Sequence, residues 1–269
     1  MNHSTVKSFT FGIGLFFTLP LVYGNSSSPS SSDGTLYINK SKTHKVAPVK
    51  YGFHYEEIGM MGEGALHAEL IRNRSFEEAS PPAGLSLKNG LYENVPAPRV
   101  KEKKVFQVDP LIGWTTYPLS YTPVFISRTD ENPMSGENKY SMLVNVTEDI
   151  ANHPDALILN RGYYGMNLKT DTSYRLSLFL KNRNYSAPLR VFLVDERGQR
   201  VSNVIEVNVG NREWTKYTGE LKPEKNVRRG MFAIQPMSKG QFQIDVVSLF
   251  PSDTWNDGKS VFRKDIVQN

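Results

Sequence analysis

The feature that most constrains this chain is a set of short alternating segments between residues 139 and 250, with no helical period among them. In KYSMLVNV, Tyr140, Met142, Val144 and Val146 fall on one side and Ser141, Leu143, Asn145 and Thr147 on the other. In SYRLSLFLK, Tyr174, Leu176, Leu178 and Leu180 share a face. VIEVNVG groups Ile205, Val207 and Val209, and GQFQIDVVSLF sets Phe242, Ile244 and Val246 against Gln241, Gln243 and Asp245. Side chains of a strand alternate between faces, so this period predicts strands with one buried side. DERGQ and SKGQ read as hairpin turns. The fold class expected is mainly β: an antiparallel β-sandwich of jelly-roll type over residues 73–251.

Such a sandwich must hold together by its core, because the 269 residues include no cysteine. Disulfides, thiolate zinc sites and cysteine nucleophiles are excluded. Yet the N-terminus reads as an export signal. Lys7 precedes the apolar run FTFGIGLFFTLPLV, and Val22 and Gly24 set small residues at a cleavage point. Residues 1–24 are expected to be a signal peptide, and NSSSPSSSDG (25–34) a flexible linker. The apolar run is short and contains Pro20, whereas a spanning helix needs about 20 apolar residues. No stable membrane span is expected, and the protein is expected to be exported (secreted, periplasmic or extracellular). Asn39, Asn73, Asn145 and Asn184 each begin a glycosylation sequon. The net charge of +5 is dispersed, which reads as a solvated basic surface with no nucleic-acid partner.

Ahead of the sandwich, YGFHYEEIGMMGEGALHAELIRNRSFEE (51–78) reads as a strand running into a helix. Leu66, Leu70 and Ile71 form an apolar stripe, with Glu63 early and Arg72 and Arg74 late, as the helix dipole favours. The glutamates do not pair for glycoside hydrolysis. Glu56 and Glu57 are adjacent and point to opposite sides of a strand, and Glu63 and Glu69 fall on nearly opposite helix faces. His54 and His67 are too few for a metal site. The stretch reads as one part of a site, with one carboxylate that binds a polar ligand. Residues 79–104 are rich in proline and read as a long surface loop. SDTWNDGKSVFRKDIVQN closes the chain, with VFRKDIVQ as the first turns of a helix.

YGFHYEEI and HAELIRNRSFEE resemble the opening of the α-L-arabinofuranosidases of glycoside hydrolase family 51, and VSLFPSDTW with FRKDI resembles that family's later segment. The resemblance implies that residues 35–72 are the first strand and helix of an incomplete (β/α)8 barrel, with 252–269 the return segment to it. The family's strand-end glutamate matches Glu56, with His54 and Tyr55 in place of the usual apolar-aromatic pair. Glu56 and Tyr55 are therefore the candidate substrate-binding residues at the carboxyl end of that strand. The family's acid/base and nucleophile glutamates lie on later barrel strands and match nothing here. The resemblance thus implies the N-terminal portion of an exported arabinofuranosidase acting on arabinan or arabinoxylan, with no catalytic residue of its own. Its partners would be plant cell-wall polysaccharide or arabino-oligosaccharide, and a separate chain completing the barrel.

The intervening sandwich resembles an inserted carbohydrate-binding domain of the family 4 and 9 type, through Gly113-Trp114, NRGYYGM, EWTKY and QIDVVSL. Such modules imply carbohydrate contact through Trp114, Tyr163 and Tyr164. Read as residues, these tryptophans and tyrosines serve equally as core, and Trp214 is expected there. Of the adjacent Tyr163 and Tyr164, one is expected in and one out. A structural calcium between first and last strands would use Glu77 and Asp245. A self-standing carbohydrate-binding protein, non-catalytic, is the alternative. A sandwich that only buttresses a barrel is a third.

Overall fold

In the computed structural model, which describes residues 41, 62–78, 85–88, 91–94, 105–107 and 109–268, the alternating segments form two antiparallel sheets. A separate three-stranded sheet comes first, from β1 (Leu85–Lys88), β2 (Leu91–Asn94) and β3 (Val105–Gln107). There follow β4 (Trp114–Tyr117), β5 (Val124–Thr129), β6 (Ser141–Val146), β7 (Leu157–Asn160), β8 (Met166–Leu168) and β9 (Tyr174–Asn182). Then come β10 (Pro188–Val194), β11 (Ile205–Asn208), β12 (Thr215–Leu221), β13 (Val227–Pro236), β14 (Gly240–Pro251) and a short helix α1 (Lys264–Val267). One sheet runs β11-β10-β13-β7-β4, with β8 also on β13, and the other β12-β9-β14-β6-β5. Among the described residues no helix is long and apolar enough to cross a membrane.

The period-two faces meet between the sheets. Met142, Val144, Leu178, Leu180, Phe242 and Ile244 from one sheet share a buried cluster with Ile158, Val191, Leu193, Phe232 and Ile234 from the other. Burying each such side chain stabilises by roughly 1.5–3 kcal/mol, which is how a cysteine-free sandwich stands. The β11-β10-β13-β7-β4 sheet is also buried on its other face, through Leu157, Leu159, Phe192, Val194, Met231 and Ala233. Its inner strands therefore read as continuous apolar runs rather than alternating ones.

Several expectations are corrected. GEGALHAELIRNR does not form a helix: Gly62–Leu66 is a single π-type turn, and the chain beyond it is irregular. The helical bonds are outcompeted, because the Ala68 and Leu70 N–H groups donate to Val261 and Leu249 carbonyls instead. Ile71 is fully buried in the sandwich core and Leu70 packs against it. The proline-rich loop contains the hairpin β1-β2, with Lys88 paired to Leu91 across Asn89-Gly90, the dipeptide that favours two-residue hairpins.

In β14 the alternation fails after Asp245. The register with β9 shifts between Asp245 and Ser248, Val246 adopts φ +43°, and Val247 and Leu249 take the inward positions. This is a bulge: one extra residue re-aims all that follow. DERGQ is a turn, its Asp195 carboxylate accepting from the Arg197 and Gln199 N–H groups. SKGQ is no hairpin, because it carries the chain from β13 in one sheet to β14 in the other. The stretches expected to be a signal peptide, a linker and a first barrel strand, with His54, Tyr55 and Glu56, lie outside the described residues.

Candidate functional site

The segment that enters the sandwich and the segment that leaves it run side by side. The Ala68 N–H donates to the Val261 carbonyl at 2.8 Å, Arg263 N–H to Leu66 carbonyl at 2.9 Å, and Leu70 N–H to Leu249 carbonyl at 3.1 Å. His67 and Phe262 form an antiparallel bridge, and the His67 ring meets Phe250 edge-on at 5.3 Å. Glu69 locks this junction. Its carboxylate accepts from the Ser248 hydroxyl at 2.6 Å, the Leu249 N–H at 2.8 Å and the Ile71 N–H at 3.0 Å. Burial raises its pKa, and these three bonds oppose that rise. At 4% exposure, with three hydrogen bonds to two segments, it is a structural staple.

Trp114 also belongs to this frame. It is 6% exposed, donates its indole N–H to the Asn73 carbonyl at 3.1 Å, and packs on Phe76 and Phe232. Its ring is a core element, so no face is left for the sugar contact expected of it. Trp214 is half-buried and donates to the Asn132 carbonyl at 3.0 Å.

Beside the junction lies a cavity of about 460 Å³. Tyr163 and Tyr164, from the turn between β7 and β8, form one wall; Thr254, Arg263 and Lys264 of the return segment form another. The turn depends on glycine. Gly162 has φ +61°, and a Cβ there would come within 2.6 Å of the Leu70 carbonyl oxygen. The two tyrosines divide as expected of neighbours. Tyr163 is half-buried, donates to Glu63 Oε2 at 3.1 Å and lies 5.8 Å from the Arg72 guanidinium. Burial, then the Glu63 charge, holds its hydroxyl far above the usual tyrosine range. Tyr164 is 77% exposed. Thr254 carried no sequence signal, yet it is 1% exposed and its Oγ1 has no hydrogen-bond partner.

Of the carboxylates that line this cavity, Glu69 and Asp265 are engaged within the protein, which leaves Asp253 as a single further one and no hydrolytic pair. Glu69 already accepts from three donors within the protein. Asp265 is bound by Arg263 through both oxygens, at 3.1 and 2.6 Å, and is held below the usual carboxylate range by that contact. A retaining or inverting glycosidase needs one carboxyl free to give a proton and another free to attack or to activate water.

Glu77 and Asp245 lie near each other at the bulge of β14. Glu77 Oε1 accepts from the Lys139 and Tyr140 N–H groups at 2.7 and 2.8 Å. Asp245 accepts from Asn138 Nδ2 at 2.6 Å and from the Val246 N–H at 2.7 Å. Burial pushes its pKa up to about 7, and the Glu77 charge adds to the rise. The described residues gather no group of three His, Asp or Glu. The Gln243 Oε1, two residues before Asp245, is buried without a partner. Two carboxylates and an orphaned amide oxygen are the all-oxygen donor type that calcium takes.

No family model matches the chain. It is 25% identical over 223 residues to α-L-arabinofuranosidase 1 of Arabidopsis thaliana, covering 81% of this chain and 29% of that enzyme. It is 24% identical over 220 residues to an extracellular exo-α-L-arabinofuranosidase of Streptomyces chartreusis, covering 81% of this chain and 22% of that one. A solved arabinose-bound GH51 α-L-arabinofuranosidase superposes with a TM-score of 0.61 at 21% identity, over 86% of this chain and 34% of that structure. Over most of its length this chain is therefore similar to α-L-arabinofuranosidases, and it spans less than a third of these two relatives.

Proposed function

We propose that this chain is the N-terminal part of an exported α-L-arabinofuranosidase acting on arabinose-containing plant polysaccharides. One observation carries the reading: the sandwich is entered and left at one place, with Ala68 bonded to Val261 and Leu66 to Arg263. A domain inserted into another fold needs adjacent ends. The segment that precedes the junction resembles the family's opening stretch, and the one that follows it resembles the family's return segment to the barrel. In this reading Glu56 and Tyr55 hold hydroxyls of an arabinofuranose ring. Glu77 and Asp245 hold a structural calcium that neutralises their mutual repulsion, with Gln243 Oε1 as a further oxygen ligand.

The chain alone is catalytically silent in this reading, since the family's acid/base and nucleophile match nothing in the sequence and the described residues bring no such pair together. The test is release of the phenol from an aryl α-L-arabinofuranoside by purified protein. No release above a Glu56→Gln preparation is expected; turnover abolished by that substitution would overturn the proposal. The intact mass of the protein from its own host is a second check. A species well above the 30.4 kDa of this chain is expected.

A further inference from the structure

We infer that the small sheet β1-β2-β3 packs as a third layer on the outer face of the β11-β10-β13-β7-β4 sheet, and closes that face to ligands and to other copies of the chain. This layer is independent of the arabinofuranosidase reading. The outer face is dry where water would be expected. Along β7, β10 and β13, residues alternating with the core positions face away from the core, as the pleat requires. They are Leu157, Leu159, Phe192, Val194, Met231 and Ala233, none more than 6% exposed. Among the described residues, Tyr117 is the partly buried hydrophobic residue packed against them. A single tyrosine is too small to seal three strands. On the same face Arg190 and Glu206 are exposed and ion-paired, Nε to Oε1 at 3.2 Å, so the dry patch ends before β11.

The small sheet has a face that matches. Its register pairs Leu87 with Tyr92, Tyr92 with Phe106, and Leu85 with Asn94. Directly paired residues lie on one side of a sheet, so Leu85, Leu87, Tyr92 and Phe106 share a face. Ser86, Lys88, Glu93 and Gln107 share the other, with Leu91 and Val105. Three strands hold together when such an apolar face is buried. No described strand of the sandwich pairs with this sheet edge to edge, so the burial is face to face. Asn73 sets the place. Its Oδ1 accepts the Glu78 N–H at 3.2 Å, and its Nδ2 donates to the Pro110 carbonyl at 3.1 Å. One buried amide therefore clamps both ends of the 79–108 excursion at the approach to β4, an edge strand of the sheet whose outer face is dry. The small sheet and the sandwich also belong to one compact unit of the chain. Two apolar faces on one tether meet at high effective concentration. A second copy or a glycan would have to displace a layer that is already attached.

The test is methionine oxidation by hydrogen peroxide in the full chain, read by peptide mass spectrometry. Oxidation follows exposure of the thioether. Met231 reports the outer face, and Met142, in the core between the sheets, reports whether the sandwich is folded. Both are expected to be protected in the parent at every protein concentration. Leu87→Asp combined with Phe106→Asp is expected to speed Met231 oxidation about tenfold or more while Met142 stays protected. Gln107→Asp, on the polar face, is expected to leave both rates as in the parent. An unchanged Met231 rate in the double variant would overturn the third layer, as would fast oxidation in the parent. Protection of the parent only at high concentration would also overturn it, and would assign the face to a second copy. Should Met142 oxidise together with Met231, the double variant has unfolded, and a photo-crosslink decides. Benzoylphenylalanine introduced at position Phe106 is expected to capture peptides of β7, β10 or β13 within the same chain. Capture only elsewhere, or only of another copy, would overturn the layer.

Discussion

The Ser248 hydroxyl donates to Glu69 Oε2 at 2.6 Å, joining residues 179 positions apart in the chain. The same carboxylate accepts the Leu249 and Ile71 N–H groups. One side chain therefore fastens the incoming segment to the last strand of the sandwich. Removing it strands two backbone donors and a hydroxyl in a dry site. Glu69→Ala is expected to lower unfolding stability by about 2–4 kcal/mol. Glu69→Gln keeps an accepting oxygen and should cost less than about 1.5 kcal/mol. Urea denaturation followed by tryptophan fluorescence separates the two, and equal losses would contradict the staple role.

Asp245 sets a pH dependence with an unusual sign. Its folded pKa of about 7 lies above the usual aspartate value, chiefly through burial. The folded state therefore holds a proton that the unfolded state has already released. Its stabilising contribution is complete below about pH 4, declines as pH rises, and is gone above about pH 7. In chelator, the melting temperature of the parent should fall across that window more than that of Asp245→Asn. Calcium should restore the loss above pH 7 in the parent and leave Asp245→Asn largely unmoved. A parent curve that parallels the variant in chelator would show that Asp245 does not set the slope.

Trp114 packs against a tilted Phe76 and an edge-on Phe232 and donates its indole N–H to the Asn73 carbonyl. Trp114→Ala opens a core cavity and should cost about 3–5 kcal/mol. Trp114→Phe keeps most of the volume, loses the hydrogen bond, and should cost about 1–2 kcal/mol. Thermal or urea unfolding checks both. A Trp114→Ala protein as stable as the parent would place the indole outside the core.

Gly162 approaches Leu70 too closely for any side chain, with a would-be Cβ 2.6 Å from its carbonyl oxygen and φ +61°. Gly162→Ala should destabilise by about 1–3 kcal/mol. Because Tyr163 and Tyr164 follow directly, it should also blunt near-ultraviolet dichroism of the tyrosines. A dichroism spectrum and stability equal to those of the parent would contradict the steric argument.

The sequons differ in access. Asn73 is 6% exposed, with its amide donating to Pro110 and accepting from Glu78 N–H, whereas Asn184 is exposed. In a glycosylating host, folded secreted protein should carry glycan at Asn184 and none at Asn73. Glycopeptide mass spectrometry reads this directly, and occupancy at Asn73 in folded material would be the contrary result.

The sequence by itself determined the β-sandwich. Alternation in residues 140–146, 174–180 and 205–209 is a local property of strands with one face buried, so it is written residue by residue. The β1-β2 hairpin was missed, because the prolines around it read as a loop. Only the tertiary structure decided the rest. The helix expected over 62–74 gave way because backbone partners on Leu249 and Val261 outcompete helical bonds. The shift after Asp245 was invisible because one inserted residue re-aims its successors without altering composition. Trp114 and Tyr164 look alike as aromatic candidates in a sequence, yet one is sealed in the core and the other stands in solvent. Thr254 had no pattern to announce it. Its meaning arises from burial between elements far apart in the chain, and burial is a property of the packed molecule rather than of any segment.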